Sequence, residues 1–229
     1  MELPIEIEVS GGPRLEARLA ESPTAAAGLV LCHPHPLYGG DMDNPVIVRA
    51  AEVAQGRGLT TLRFNFRGVG ASGGTHGGGI TEEDDVRAAL TRARAVLSGN
   101  APLGLLGYSF GAWVSARVAA KRSGLSLPLC LVAPPLGMLD WTTVPTGATG
   151  ATSLLIVAGT RDQYCPLPDL EGFTARLPGA RTAIIEGADH FFLGKLYPMG
   201  LEIDRWLREW AGGGSAALTG EPGGRSGPG

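Results

Sequence analysis

The sequence lacks the features that mark several large classes of protein. Its 22 acidic and 19 basic residues are spread along the chain without a basic block or stripe. Proteins that bind nucleic acid usually cluster lysine and arginine against the phosphates, so we expect no nucleic-acid partner. No apolar run is long enough to cross a bilayer, and we expect no membrane span.

Cysteine is scarce, with three residues in 229. Cys32, Cys130 and Cys165 lie far apart in apolar sequence, and no Cys-x-x-Cys or Cys/His ligand spacing occurs. Isolated cysteines of this kind are typical of packed thiols rather than disulfides or metal ligands. Residues 1–10 carry acids instead of a basic region ahead of an apolar stretch, which predicts no signal peptide. Both observations favour a reducing cytoplasm.

The order of apolar segments predicts the fold class. Short β-rich runs alternate with longer segments of helical period, which is typical of an α/β fold with a mostly parallel open sheet and helices on both faces. An antiparallel hairpin at 5–9 and 15–19 precedes strands at 28–32, 59–64, 103–106, 129–132, 154–157 and 181–186, and helices are predicted at 45–55, 81–97, 112–121, 167–176 and 196–210. We expect about eight strands in one domain, residues 1–211, and a disordered Gly/Pro/Ser-rich tail, residues 212–229.

The beginning of the helix at 81–97 is strongly acidic. Thr81 with Asp84 three residues later has the form of a capping box, and the neighbouring acids Glu82, Glu83 and Asp85 suit a helix N-terminus. We therefore interpret this cluster as a cap rather than a metal site.

The strongest chemical signal is the Gly-x-Ser-x-Gly motif at residues 107–111, between a predicted strand and a predicted helix. A serine on a tight turn at the carboxyl end of a strand exposes its hydroxyl above the sheet. Flanking glycines let the two backbones pass without a Cβ clash. We predict that Ser109 is a nucleophile.

A serine hydroxyl needs a base, and histidine is the usual one because its pKa lies near the working pH. Of four histidines, His190 alone follows the last predicted strand and precedes the last helix, which satisfies the chain order serine, acid, histidine. The orienting acid should follow the preceding strand, and Asp162 lies there. Asp140, after the strand before that, and Asp189, adjacent to the histidine, remain alternatives.

An oxyanion intermediate needs two donors, of which one is the backbone N–H of Phe110, the residue after the nucleophile. The second should come from the loop at 33–40, where the prolines have no N–H. The choice lies among His35, Leu37 and Tyr38, and we favour Leu37. His33 and His35 have no evident carboxylate or thiol partner, so we expect them to tie the loop rather than bind a metal.

Five motifs in the same order resemble the small bacterial lidless α/β hydrolases related to dienelactone hydrolase. They are His33-Pro-His-Pro-Leu-Tyr-Gly-Gly-Asp-Met-Asp-Asn44, residues 64–72, 107–111 and 132–135, and Gly187-Ala-Asp-His-Phe-Phe192, within a match over residues 3–210. The resemblance implies the α/β-hydrolase fold and an esterase activity. The piece at 35–39 is similar to the dienelactone hydrolase loop whose third residue supplies the second oxyanion donor, here Leu37. That enzyme uses a cysteine nucleophile where Ser109 stands here, so lactone hydrolysis is not implied.

The connection at 134–152, where many relatives insert a lid, is too short for a large cap, which predicts an open site. Candidate wall residues are Phe66, Met138, Leu139, Trp141, Tyr164, Phe191 and Phe192.

We expect a serine hydrolase, a carboxylesterase acting on small or soluble acyl esters without a cofactor, since no Gly-x-Gly-x-x-Gly follows the first strand. A thioesterase, peptidase or acyltransferase with the same residues, and a non-catalytic binding protein of the same fold, remain alternatives. A monomer and a homodimer are both compatible with the sequence.

Overall fold

A computed structural model describes residues 1–23, 25–121, 127–142 and 153–211. The tail predicted for residues 212–229 lies outside these ranges. The strands are β1 (Leu3–Glu8), β2 (Arg14–Ala20), β3 (Gly28–Cys32), β4 (Thr60–Phe64), β5 (Leu103–Tyr108), β6 (Leu129–Val132), β7 (Leu154–Gly159) and β8 (Arg181–Ile185). The helices are α1 (Pro45–Gly56), α2 (Glu82–Val96), α3 (Phe110–Ala120), α4 (Leu167–Thr174) and α5 (Leu196–Ala211), and a 3-10 turn covers Pro36–Tyr38.

The strands form one sheet in the order β1-β2-β4-β3-β5-β6-β7-β8. The β1–β2 and β2–β4 pairs are antiparallel, and every other pair is parallel. The predicted mostly parallel sheet of eight strands, with its opening hairpin, is confirmed. Strands β3 to β7 are buried along their whole length, which explains their unbroken apolar runs, whereas the edge strands β1 and β8 are partly exposed.

Two hydrophobic cores lie on opposite faces of the sheet. Alternate residues of β3 show the division, because Val30 and Cys32 pack with α2 and α3 while Leu29 and Leu31 pack with α1 and α5. Trp206 of α5 is fully buried in the second core. Among the described residues, no helix is long and apolar enough to cross a membrane.

The acidic start of α2 is not a capping box. Thr81 is already helical and its side chain makes no capping hydrogen bond. Instead, the buried Glu82 carboxylate accepts the N–H groups of Gly77 and Gly79 at 2.7 and 2.8 Å.

The neighbouring acids bind basic side chains of other segments. Buried Glu83 pairs with Arg117 of α3 and with Lys121, which follows the last residue of that helix. Asp85 pairs with Arg67 in the loop after β4. A buried carboxylate is stable only when its oxygens are paired, so the acids attach α2 to α3 and to the loop after β4.

The parallel strands place the functional loops together. The loops after β3, β5, β7 and β8 all begin at the carboxyl ends of neighbouring strands, and in open α/β sheets this edge is where ligands bind. The predicted candidates Ser109, Asp162 and His190 therefore lie on three loops at one edge of the sheet.

We expect Trp206→Ala to lower the free energy of unfolding by about 3–5 kcal/mol, because it leaves a large cavity beside the sheet. Leu201→Ala in the same helix is the matched control, since Leu201 is 40% exposed, and its loss should stay below about 1 kcal/mol. Urea unfolding of both variants measures the difference. Equal losses would contradict the packing described for α5.

Candidate active site

Ser109 lies on a sharp turn between β5 and α3. Its backbone adopts φ 54° and ψ −117°, a left-handed conformation that is strained for a residue with a Cβ. The Ser109 N–H donates to Val132 O at 2.9 Å, and its carbonyl accepts the N–H groups of Ala112 and Trp113. These bonds from β6 and α3 hold the strained conformation.

The two glycines of the motif are required by close backbone contacts. A Cβ at Gly111 would lie 2.6 Å from the carbonyl oxygen of His33 and closer still to that of Cys32. A Cβ at Gly107 would lie 2.6 Å from the Ala112 Cα and closer still to the Gly111 oxygen. Both distances are shorter than real Cβ contacts, so larger residues would push α3 away from the sheet.

The side chains of Ser109, His190 and Asp162 form one hydrogen-bonded chain. The Ser109 Oγ lies 2.9 Å from His190 Nε2, and His190 Nδ1 lies 2.9 Å from both oxygens of Asp162. A carboxylate only accepts, so Nδ1 carries the proton and Nε2 is left to accept the serine hydroxyl proton. All three residues are buried, at 9%, 7% and 5% exposure, which shields the chain from water.

The alternative acids are engaged elsewhere. The exposed Asp140 accepts the N–H and hydroxyl of Thr142. Asp189 accepts the N–H groups of Phe191 and Leu193, within its own loop. Only Asp162, of the three acids considered, contacts the His190 ring.

Two further contacts hold the histidine loop, one to the loop of the acid and one to the end of β5. The Arg161 N–H donates to Ala188 O at 2.9 Å, and the Tyr108 hydroxyl donates to the His190 carbonyl at 3.0 Å. The Asp162 carboxylate also accepts the N–H groups of Tyr164 and Cys165. Sequence reasoning missed Tyr108 because its only signal was its place beside Ser109.

The backbone N–H of Leu37, which we expected to be a free donor, has a partner within the loop after β3. The Leu37 N–H donates to the Nδ1 of His35 at 3.2 Å, its side chain is 69% exposed, and it does not line the pocket. The Tyr38 N–H is also engaged, by the His35 carbonyl. In the described part of the chain, no hydrogen bond is found for the His35 N–H. Of the three candidate donors, the N–H groups of Leu37 and Tyr38 therefore have partners within the loop, and that of His35 has none among the described residues.

The serine opens into a pocket of about 580 Å³. Its described walls are mostly apolar and aromatic: Pro34, His35, Tyr38, Gly39, Gly40, Asn44, Tyr108, Ser109, Phe110, Pro135, Met138, Leu139, Tyr164, His190 and Phe191. Four of the seven predicted wall residues are present, namely Met138, Leu139, Tyr164 and Phe191. Phe66, Trp141 and Phe192 are buried in the hydrophobic cores instead. Asn44 was not predicted as a wall residue.

Sequence and structure comparisons place the chain in a family. A search against models of protein families finds no match. The uncharacterized protein RP471 of Rickettsia prowazekii (strain Madrid E) is 34% identical over 202 residues, 85% of this chain and 84% of the relative. A solved α/β serine hydrolase homologue from Coxiella burnetii is 32% identical with a TM-score of 0.78, covering 90% of this chain and 96% of that one. The chain belongs to the α/β-hydrolase superfamily.

The likeness extends to the missing lid. The structure of XC6422 from Xanthomonas campestris, an α/β serine hydrolase without a lid, is 29% identical with a TM-score of 0.81, covering 92% of this chain and 95% of that one. The predicted resemblance and fold class are thereby confirmed. These relatives support a hydrolase of the α/β family.

The three cysteine residues of this α/β hydrolase are packed. Cys32, Cys130 and Cys165 are free and buried, as predicted, and burial raises the pKa of the Cys32 and Cys165 thiols to about 12. Within the described ranges, no group of three or more His, Cys, Asp and Glu side chains could hold a metal ion.

His33 ties the loop after β3 to the loop after β4. Its Nδ1 donates to Pro34 O at 2.6 Å, and its Nε2 accepts the Phe66 N–H at 2.9 Å. The ring must be neutral to make both bonds, and burial lowers the pKa of His33 from 6.5 to about 4. This is the structural role expected for His33.

We expect Gly111→Ala to lower the free energy of unfolding by at least about 3 kcal/mol, because its Cβ would meet two backbone oxygens. Gly172→Ala is the matched control. Gly172 lies in α4 with no atom within 4 Å of an added Cβ, so alanine should stabilise the helix by about 0.5–1 kcal/mol. Thermal or urea unfolding measures both, and a tolerated alanine at 111 would argue against the close helix approach.

We expect His33 to lower stability as the solution is acidified. The folded ring binds a proton only near pH 4 while the unfolded ring binds one near 6.5, so the contribution is complete above pH 6.5 and is lost below it. Between pH 7 and pH 5 this loss amounts to about 2 kcal/mol. The NMR signals of the His33 ring should stay constant down to about pH 5. A titration midpoint near 6.5 would refute the buried neutral state.

Proposed function

We propose that this protein is a serine hydrolase, and specifically a carboxylesterase that cleaves small acyl esters through an acyl-enzyme. The observation that carries the proposal is the hydrogen-bonded chain from Ser109 Oγ through His190 to Asp162. Ser109, at one end of this chain, lines a pocket large enough for a small ester. The proposed base is within hydrogen-bond distance of both the nucleophile and the orienting acid, without any rearrangement.

Acylation begins at the Ser109 hydroxyl. His190 Nε2 takes the hydroxyl proton as Oγ attacks the ester carbonyl carbon, and a tetrahedral intermediate with an anionic oxygen forms. Asp162 accepts a hydrogen bond from the Nδ1–H group in the resting state, and its negative charge stabilises the imidazolium that results. The imidazolium then gives its Nε2 proton to the leaving alkoxide, so the alcohol departs and the acyl group stays on Oγ.

The anionic oxygen needs donors that are in place before it forms. The Phe110 N–H is the first of α3, where an α-helix leaves its N–H groups without intrahelical partners. We assign the second donor to the His35 backbone N–H, because the N–H groups of Leu37 and Tyr38 are engaged. Two such preorganised donors typically lower the barrier by several kcal/mol.

Deacylation repeats the same steps with water. His190 Nε2 takes a proton from a water molecule, whose oxygen attacks the acyl carbon, and the collapse of the second intermediate returns the proton to Ser109 Oγ. The products are a carboxylic acid and an alcohol, and the enzyme returns to its starting protonation state. A thioester would pass through the same steps, so a panel of p-nitrophenyl esters, acyl thioesters and peptide anilides separates the ester preference from its alternatives.

We expect Ser109→Ala to abolish labelling by a fluorescent fluorophosphonate and to lower kcat for p-nitrophenyl acetate by at least about a thousandfold, because the acyl-enzyme cannot form. The exposed Ser98 provides the control, and Ser98→Ala should label and turn over like the parent protein. Unchanged ester hydrolysis in Ser109→Ala would refute the proposed nucleophile. A folded parent protein that fails to label would favour a non-catalytic binding role.

The acid can be tested with a matched pair of variants in the same assay. Asp162→Asn removes the carboxylate beside His190 Nδ1, and kcat should fall by roughly a thousandfold or more. Asp140→Asn should change kcat by less than about threefold, since the Asp140 carboxylate is exposed and accepts hydrogen bonds from Thr142 instead of from His190. The reverse order would assign the orienting role to Asp140.

A further inference from the structure

Two side chains on the pocket wall have their acceptor atoms taken by the backbone. The first is His35, whose Nδ1 accepts the Leu37 N–H at 3.2 Å. In a neutral imidazole only one nitrogen carries hydrogen, so the Leu37 bond leaves the hydrogen on Nε2. Burial and the neighbouring His76 also lower the pKa of His35, which favours the neutral ring. The ring is held by contacts with Tyr38, His76 and Phe110 at centroid distances of 4.7, 5.0 and 4.8 Å.

The second side chain is Asn44, the residue that caps the N-terminus of α1. Its Oδ1 accepts the Val46 N–H at 3.0 Å, and only the oxygen of an amide can do this. The cap therefore fixes the orientation of the amide group. What remains is the NH2 group, which can only donate.

Both donors are free to reach a ligand. Within the described residues, neither His35 Nε2 nor Asn44 Nδ2 has a hydrogen-bond partner, and neither is among the buried polar atoms that lack one. Both atoms are therefore accessible, and both residues line the pocket that contains Ser109. A ligand oxygen that reaches either donor would replace water rather than another protein group.

The other described walls have a different character. Pro135, Met138, Leu139 and Phe191 line the pocket from the loops after β6 and β8, and they offer only apolar side-chain surface. None of the described wall residues is a lysine, arginine, aspartate or glutamate. An ionised group in this pocket would lose hydration without gaining a charged partner, which disfavours charged substrates.

On the basis of the function proposed above, we propose that the preferred substrates are uncharged esters with an additional acceptor oxygen, in an ether, hydroxyl or carbonyl group near the scissile carbonyl. The Nε2–H of His35 and the NH2 group of Asn44 donate to this oxygen. The apolar part of the substrate lies against Met138, Leu139 and Phe191. His35 thus serves twice, with its backbone N–H at the oxyanion and its side chain at the substrate.

The test uses pairs of esters that differ in one atom. p-Nitrophenyl methoxyacetate and butyrate place an ether oxygen or a methylene on the acyl side, and methoxyethyl and butyl acetate do so on the alcohol side. The intrinsic reactivities differ within each pair, so the quantity followed is the ratio of kcat/KM for the ether ester to kcat/KM for the alkyl ester. This ratio is measured in the parent protein and in each variant, and the variant's ratio is compared with that of the parent.

Asn44→Ser and Asn44→Asp are the decisive variants, because serine and aspartate both preserve the helix cap. Serine lacks the NH2 group, and aspartate replaces it with an oxygen that repels the substrate oxygen. We expect the ratio for one ester pair to fall by about three- to tenfold in Asn44→Ser, mainly through KM, and further in Asn44→Asp. His35→Phe, which keeps the ring contacts and the backbone N–H, should shift the ratio in the same direction.

The outcomes separate this inference from the proposed function. Ratios unchanged within about twofold for both ester pairs, with alkyl esters still hydrolysed, would overturn the donor site and leave the esterase assignment intact. A higher kcat/KM for p-nitrophenyl hemisuccinate than for the ether ester would overturn the uncharged substrate class. If neither ester of a pair shows turnover that depends on Ser109, the proposed function itself fails.

Discussion

The approach of α3 to the sheet is the constraint on which the rest of the site depends. The helix begins directly at the end of β5. Its first turn lies so close to β5 that Gly107 has no space for a Cβ, and so close to the end of β3 that Gly111 has none. That proximity forces Ser109 into a left-handed backbone conformation and raises its hydroxyl above the sheet. Phe110 is the first residue of α3, so the proposed nucleophile and the proposed oxyanion donor lie on one turn.

The acid and the imidazole illustrate how a buried polar chain is kept stable. Asp162 and His190 come from loops after β7 and β8, and neither would tolerate burial alone. Their polar atoms are satisfied by each other, by backbone N–H groups after Asp162 and by Ser109. The Tyr108 hydroxyl and the bond from Arg161 to Ala188 fix the separation of the loops, so the hydrogen-bonded geometry precedes any substrate.

Backbone N–H groups also determine the chemical character of the pocket. Leu37 and Val46 each donate to a wall side chain, and this occupies the acceptor atoms of His35 and Asn44. The remaining side-chain atoms of these two residues are donors, in a pocket whose other described walls are mostly apolar and aromatic. The sequence between β6 and β7 is short, and the chain is similar to a structure of an α/β serine hydrolase without a lid.

The sequence alone determined which of the candidate residues lie at the same edge of the sheet. Apolar runs of strand length, the motif around Ser109, and the positions of Asp162 and His190 after successive strands were sufficient, because parallel strands bring their carboxyl ends to one edge. It could not determine which N–H groups of the loop after β3 have partners within the loop, because a local hydrogen bond such as that from the Leu37 N–H to the His35 side chain depends on loop conformation. The burial of Glu82 was likewise not predicted, since a capping sequence does not reveal partners that are distant in the fold. Such facts belong to the tertiary structure, where contacts between remote segments decide which polar atoms remain available.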